Sequence, residues 1–165
     1  MQETYYTSMP SPIGKLVLTS SGESLTGLFM DTGSKRSAGD GMQRDDGRFE
    51  EVVAQLDAYF AGDLETFDVA LEPHGSPFQL RVWRALRDIP YGQTISYGGL
   101  ARRVGNAKGA RAVGLANGRN PISIIVPCHR VIGANGTLTG YEGGLDRKRH
   151  LLTLEAGARV VDVAL

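Results

Sequence analysis

Residues 96–118 read SYGGLARRVGNAKGARAVGLANG, and the fold turns on how this stretch is divided. Ser96 is placed to cap a short helix from Tyr97 to about Val104, which Gly105 can terminate. Asn106 is a further candidate cap, and a second helix is expected from Ala107 to Asn117, stopped by Gly118. Two short helices joined by a tight turn form the pattern of a helix-turn-helix unit, whose second helix enters a groove of nucleic acid. That helix opens Lys108-Gly109-Ala110-Arg111, and small residues on its outer face would allow close backbone approach. A plain helical hairpin packed in a core fits the same pattern equally well.

On the N-terminal side, Ser76 can cap a helix with Pro77 at its first position and Gln79 completing a capping box. Phe78, Val82, Ala85, Leu86 and Ile89 form its apolar face, and Trp83 reads as core. On the C-terminal side, Pro121-Ile122-Ser123-Ile124-Ile125-Val126 is a β-branched run that predicts a buried strand. Pro127-Cys128-His129-Arg130 follows at once and contains the only cysteine. A thiol attacks as the thiolate, so it needs a base, a cation or helix dipoles beside it, and His129 and Arg130 adjoin. Neighbours on an extended segment point opposite ways, however, and a lone cysteine also reads as an inert buried residue.

Residues 1–75 have another character. Ser11–Thr19 and Leu25–Met30 predict a strand pair around residues 20–24, and residues 31–48 predict a mobile loop without chemistry, because four glycines lie among charges with no apolar period. Phe49, Val52, Val53, Leu56, Tyr59 and Phe60 recur at helical spacing up to Gly62, and Phe67, Val69 and Leu71 alternate as a strand. Glu72-Pro73-His74-Gly75 reads as a linker, which divides the chain into residues 1–75 and 76–165. The first part carries five Lys/Arg against thirteen Asp/Glu, a net −8, and the second thirteen against five, a net +8. The overall charge of zero therefore hides a basic half, the electrostatic footprint of a nucleic-acid binder, although chance asymmetry of a solvated surface gives the same count.

With 165 residues, 41% hydrophobic and 22% charged, the chain reads as a soluble globular protein of one domain or two small ones. No apolar run approaches the roughly 18 residues of a membrane span, the N-terminus lacks a secretory pattern, and one cysteine cannot close an internal disulfide. A reducing, cytoplasmic setting is expected.

The run from Ala116-Asn117-Gly118-Arg119-Asn120-Pro121 to Ile124-Ile125-Val126-Pro127-Cys128-His129-Arg130-Val131-Ile132-Gly133 resembles the active-site signature of the O6-alkylguanine-DNA alkyltransferases, the methylated-DNA–protein-cysteine methyltransferases. The resemblance extends from about Phe78 through Glu155, with Ile95-Ser96-Tyr97, Ala110-Arg111-Ala112-Val113-Gly114 and Gly140-Tyr141 inside it, and more weakly to Ser11-Pro12-Ile13-Gly14. It implies an α/β N-terminal domain of ribonuclease-H-like shape and a mainly α C-terminal domain with a winged helix-turn-helix. It also implies direct damage reversal: irreversible, single-turnover transfer of the alkyl group from O6-alkylguanine in duplex DNA to Cys128, with O4-alkylthymine as a further substrate left open.

By the same resemblance His129 would be a general base acting through a water, Glu155 would hold it, and Asn120 would brace the turn. Tyr97 would crowd the phosphate and protonate the leaving guanine. Arg111 would fill the space of the flipped base, with Lys108, Gly109, Ala110 and Gly114 at the minor groove. Pro127, Val131, Tyr141 and Glu142 would form the substrate pocket, with backbone groups of Cys128, Val131 and the residue after Tyr141 holding the base. No cofactor, membrane or obligate protein partner is implied, and self-association along DNA is compatible with it. Glu142 stands where relatives carry a small residue, and Ser123 where some carry proline. The zinc site of some relatives is not expected, since the first half has no cysteine and only His74. His74 and His150 read as surface. Three rivals stand beside this reading: a damage-binding module without chemistry, a cysteine hydrolase built on Cys128, His129 and Asn120, and a helix-turn-helix regulator.

Overall fold

In the computed structural model of the chain, the described residues are 3–31, 41–106, 108–141 and 143–157. They belong to two compact units, Met1–His74 and Gly75–Leu165. The first holds a four-stranded sheet in the order β3-β2-β1-β4, formed by β1 (Tyr5–Met9), β2 (Leu16–Ser20), β3 (Leu25–Met30) and β4 (Gln43–Arg44). β1–β2 and β2–β3 are antiparallel and β1–β4 is parallel. The helix α1 (Glu50–Phe60) buries Val52, Leu56 and Tyr59.

Several expectations are corrected here. The strand expected from Ser11 begins only at Leu16, because residues 11–14 close a turn in which the Gly14 N–H reaches the Ser11 carbonyl. β1 has no sequence counterpart in the reading above, since its buried positions are Tyr5, Thr7 and Met9, which do not look apolar as a set. Of the loop expected over 31–48, residues 32–40 lie outside the described residues, whereas Gln43 and Arg44 pair with β1 and Asp46–Phe49 make a 3₁₀ turn. The strand expected over 67–71 is reduced to a bridge between Leu25 and Leu71. Its backbone is claimed by a side chain: the Gln55 carboxamide donates to the Asp68 carbonyl at 2.9 Å and accepts from the Asp68 N–H at 2.8 Å.

The second unit opens with α2 (Pro77–Leu86), whose capping box forms in full: Ser76 Oγ accepts from the Gln79 N–H, and Gln79 Oε1 from the Ser76 N–H. Trp83, on its buried face, donates Nε1–H to the Ala116 carbonyl at 2.8 Å. β5 (Ile95–Ser96) runs parallel to β6 (Val131–Ile132). Ser96 then caps α3 (Tyr97–Arg103) by accepting from the Gly99 N–H, and α3 packs on α4 (Ala110–Gly118). The last helix is α5 (Leu145–Ala156).

Three expectations fail in this unit. The second helix starts at Ala110 rather than Ala107, which itself lies outside the described residues, and no side chain caps it. Asn106 instead closes a turn through its carbonyl, which accepts from the Gly109 N–H at 2.8 Å. Residues 121–126 are buried from Ile122 onward but form turns rather than a strand. The Val126 N–H bonds the Ile122 carbonyl, the Ile125 N–H bonds that of Ser123, and Ile124 sits at φ 72°. Asn120 organises the loop, since its Oδ1 accepts from the Ile122 N–H at 3.0 Å and its Nδ2 donates to the Val126 carbonyl at 2.7 Å. One buried carboxamide thus does for this backbone what a neighbouring strand would have done.

Candidate active site

Cys128 opens a single 3₁₀ turn, Cys128–Arg130, between this loop and β6, and is 5% exposed. Its N–H bonds the Val126 carbonyl at 2.8 Å, and its own carbonyl accepts from the Val131 N–H and, at 3.4 Å, from Asn117 Nδ2. The backbone carrying the sulfur is therefore fixed from both sides. Residues 128–130 form a tight turn, so the alternation of an extended chain does not describe them.

His129 and Arg130 converge on one carboxylate from α5. His129 Nε2 lies 2.7 Å from Glu155 Oε2, and Arg130 donates Nε–H to Oε1 at 2.7 Å and Nη2–H to Oε2 at 3.0 Å. Arg130 Nη1 also reaches the Ile89 carbonyl at 2.6 Å. His129, Arg130 and Glu155 are all buried. Burial alone would raise the Glu155 pKa, but the His129 contact and the Arg130 guanidinium outweigh it and hold the carboxyl well below the usual carboxylate range. An ionised Glu155 accepts only, so the neutral His129 ring carries its proton on Nε2. That leaves Nδ1 as the basic atom, and among the described residues no protein group bonds it.

Beside the thiol lies a small cavity lined by Cys128, Asn117, Gly118, Asn120, Ser123, Gly140 and Tyr141. Pro127 and Val131 are buried on either side of the turn, and Glu142 falls outside the described residues. Tyr97, at the start of α3, is half-buried and donates its hydroxyl to the Thr139 carbonyl at 3.2 Å, next to the cavity wall. Gly114 sits under its ring: a Cβ there would lie 3.5 Å from Tyr97 Cδ1. Arg111 and Lys108 are exposed and Gly109 and Ala110 half-exposed, while Arg102, Arg103 and Arg119 add exposed cations to the same helix pair. His74 and His150 are exposed. Among the described residues no group of three His, Cys, Asp or Glu side chains could hold a metal ion, and no helix is long and apolar enough to cross a membrane.

Lys148 was not anticipated. It is fully buried on α5 and donates Nζ–H to the Thr139 carbonyl at 2.7 Å, the acceptor shared with Tyr97, with its Nζ 6.0 Å from the Tyr97 ring centre. Within Arg147-Lys148-Arg149-His150 it looks like part of a solvated face. Yet positions 148, 151, 152 and 155 share one helical stripe, the one that buries Leu151, Leu152 and Glu155, and that spacing was a usable signal. Burial pushes the Lys148 pKa down to about 8, against the attraction of the Cys128 thiolate, which acts the other way. Lys148→Met is expected to slow alkylation of Cys128 by iodoacetamide at pH 7 on the order of tenfold, because the thiolate loses its neighbouring cation. The folded value lies below the unfolded one, so the wild type should gain stability as the pH rises from about 8 to about 10.4. Urea titrations across that range should show the rise in wild type and not in Lys148→Met.

Two family profiles match the chain. One, described as the ribonuclease-like domain of 6-O-methylguanine DNA methyltransferase, covers residues 4–73, and the other, its DNA binding domain, covers residues 77–157. A methylated-DNA–protein-cysteine methyltransferase of Methanosarcina acetivorans is 54% identical over 92% of this chain and 97% of its own. One from Mycobacterium tuberculosis is 53% identical over 98% of both. Among solved structures, the Mycobacterium tuberculosis O6-methylguanine methyltransferase superposes with a TM-score of 0.90 at 53% identity, covering 96% of both chains. A crystal structure of the Mycobacterium tuberculosis OGT in complex with DNA gives 0.87 at 55% identity, covering 92% of both. The two-part architecture, a ribonuclease-like domain followed by a DNA-binding domain, is shared with these proteins.

Proposed function

The chain belongs to the 6-O-methylguanine DNA methyltransferase family, and from that premise we propose that it repairs DNA by direct reversal, moving the alkyl group of an O6-alkylguanine onto Cys128. The observation that carries the assignment of roles is the His129–Glu155 contact of 2.7 Å, which leaves His129 Nδ1 as a base in the turn that holds the thiol. His129 takes the thiol proton through a water molecule, and the thiolate attacks the alkyl carbon. The S–C bond forms as the C–O6 bond breaks, and its electron pair returns to the guanine ring. Tyr97 Oη–H supplies a proton to the departing base. A thioether has no route back to a thiol here, so each molecule acts once.

A base stacked in a duplex cannot reach a buried sulfur, so it must rotate out into the cavity beside Cys128. We assign that step to α4 in the minor groove, with Arg111 taking the vacated place and Lys108, Gly109, Ala110 and Gly114 along the groove. The exposed arginines of α3 and α4 supply contacts to phosphates. Arg111→Ala is expected to slow alkyl transfer from duplex DNA at least tenfold more than transfer from a free O6-benzylated purine, which needs no flipping. Rate constants for the two substrates, read from adduct formation, test this. The working compartment is cytoplasmic, in keeping with a single reduced thiol.

A hydrolase reading finds less support, because the Asn120 carboxamide is spent on the Ile122 N–H and the Val126 carbonyl, while His129 is held by Glu155. The deciding experiment is intact-protein and peptide mass spectrometry after incubation with a duplex carrying one O6-methylguanine. One methyl group on the Cys128 peptide, saturating at one per protein with guanine restored in the DNA, is the expected result. Tight binding without an adduct would make the protein a damage-recognition module instead.

A further inference from the structure

The outer face of α4 carries one residue that the scheme above leaves without a task. Leu115 is 64% exposed, and among the described residues the only other exposed large apolar side chain is Leu145, at 37%. A lone leucine on a wetted surface is ordinary, but the place of this one is not. It lies one helical turn after Arg111 on the same exposed stripe, between the small residues Ala112 and Gly118. Lys108 stands just before the helix and Arg119 just after it, both exposed. No Asp or Glu occurs anywhere between Asp88 and Glu142. Leu115 is therefore an apolar tip set among cations with no acid nearby in sequence.

The partner that suits such a stripe is a polyanion with an apolar recess. A minor groove is that object: phosphate rows form its rims and deoxyribose faces its walls, so the cations meet the rims and the leucine meets the sugars. An acidic protein would match the cations but would set charge against Leu115. With Arg111 in the place of the flipped base, four residues of helix advance about 6 Å, which carries Leu115 about two base steps away onto undamaged duplex. The groove there is only about 6 Å wide, so it must open to admit a helix that carries a leucine. Opening is easy at flexible pyrimidine–purine steps and costly in A-tracts, which are stiff and narrow. Resting on the assignment of α4 to the minor groove beside the flipped base, we propose that Leu115 is a specificity-determining residue, which makes repair depend on how readily the groove opens on one side of the lesion. It reads no base edge, and the dependence comes from the energy of deforming the DNA. Toward the start of α4 the residues before Arg111 are Lys108, Gly109 and Ala110, with no apolar bulk, so the other flank is not sensed.

The test uses the full-length protein and three duplexes, each with one O6-methylguanine: one with TA and CA steps on both flanks, and two with an A-tract on one flank or the other. Rate constants for methylation of Cys128 are read by intact mass, with free O6-benzylguanine as a substrate that has no groove. Wild type should react about fivefold more slowly with one of the A-tract duplexes than with the flexible duplex, and equally fast with the other. Leu115→Ala should remove that difference and leave the O6-benzylguanine rate unchanged. Leu115→Arg should reverse its sign, because a guanidinium is drawn into a narrow A-tract groove. A flank difference that survives in Leu115→Ala, or a loss in that variant that falls equally on the free purine, would overturn the proposal. Benzylation of wild type together with equal rates on all three duplexes would leave alkyl transfer standing and remove Leu115 from it. Absence of any benzyl adduct in wild type would instead overturn the alkyl-transfer reading, and the role of Leu115 with it.

Discussion

Cys128→Ser is expected to bring alkyl transfer below detection while leaving binding to the methylated duplex almost unchanged. The hydroxyl is close to the thiol in shape, and the backbone around it is set by Val126, Val131 and Asn117 rather than by the sulfur, so the pocket should survive. The chemistry should not. A thiol near neutral pH gives an accessible, strongly nucleophilic thiolate, whereas a serine hydroxyl must surrender its proton to a base much weaker than the alkoxide it would form. The buried Lys148 adds to the contrast, because its ammonium can stabilise a thiolate that exists but not an alkoxide that does not. Mass spectrometry for the adduct and fluorescence anisotropy for duplex binding separate the two effects. Residual transfer by the serine variant would move the acceptor elsewhere, and loss of binding would mean that the sulfur shapes the pocket.

Glu155→Ala is expected to be the most destabilising single change in this unit, by about 3–5 kcal/mol, the range for breaking a buried ion pair from one side. Among the described residues it would leave Arg130 with the Ile89 carbonyl as its hydrogen-bond acceptor and His129 Nε2 with none, both inside the protein. Against a total stability of about 5–15 kcal/mol that is a large fraction, and urea denaturation at pH 7 should show it as a lower midpoint. Glu155→Gln keeps the shape and one acceptor, so it should fold better than the alanine variant yet still transfer slowly, because an amide fixes the His129 tautomer less firmly. The pH dependence carries a sign. The folded carboxyl titrates below the ordinary value, so the stability it contributes is complete above the unfolded pKa of about 4.3 and is lost as the pH falls through the depressed folded value. Wild type should therefore lose stability below about pH 4 more steeply than Glu155→Gln. Parallel curves would mean that the ionised carboxylate gives the fold nothing.

What was legible in the chain was mostly local. The Ser76, Pro77 and Gln79 capping box and the Ser96 cap each depend on residues within a few positions of one another, and each formed as read, while the helical spacing read from Phe49 becomes a helix from Glu50, with Phe49 closing a 3₁₀ turn. Features set by distant side chains were not legible. The β-branched run 122–126 carries every mark of a strand, but the Asn120 carboxamide folds it into turns. Asp68 loses its place in a strand to Gln55, and β1 hides behind tyrosine and threonine at its buried positions. In the site, Cys128 and His129 stood out by chemistry, and Glu155 only through its family spacing, because an acid in Leu-Leu-Thr-Leu-Glu gives no sign of being 2% exposed. Lys148 was masked by basic neighbours on either side.

Ile124 shows how narrowly the loop in front of the thiol is constrained. Its backbone occupies a left-handed conformation that suits glycine and is costly for a β-branched residue, while its side chain is 1% exposed and fills the core. The two demands oppose each other across the genetic code. Glycine would relax the backbone and open a hole, asparagine would tolerate the angle and bring a carboxamide into an apolar space, and valine would keep the strain while filling less volume. No step from isoleucine improves one side without worsening the other, so drift at this position is trapped although the residue has no part in the chemistry. The shape of the loop in front of the thiol is thus a compromise between a backbone angle and a filled core.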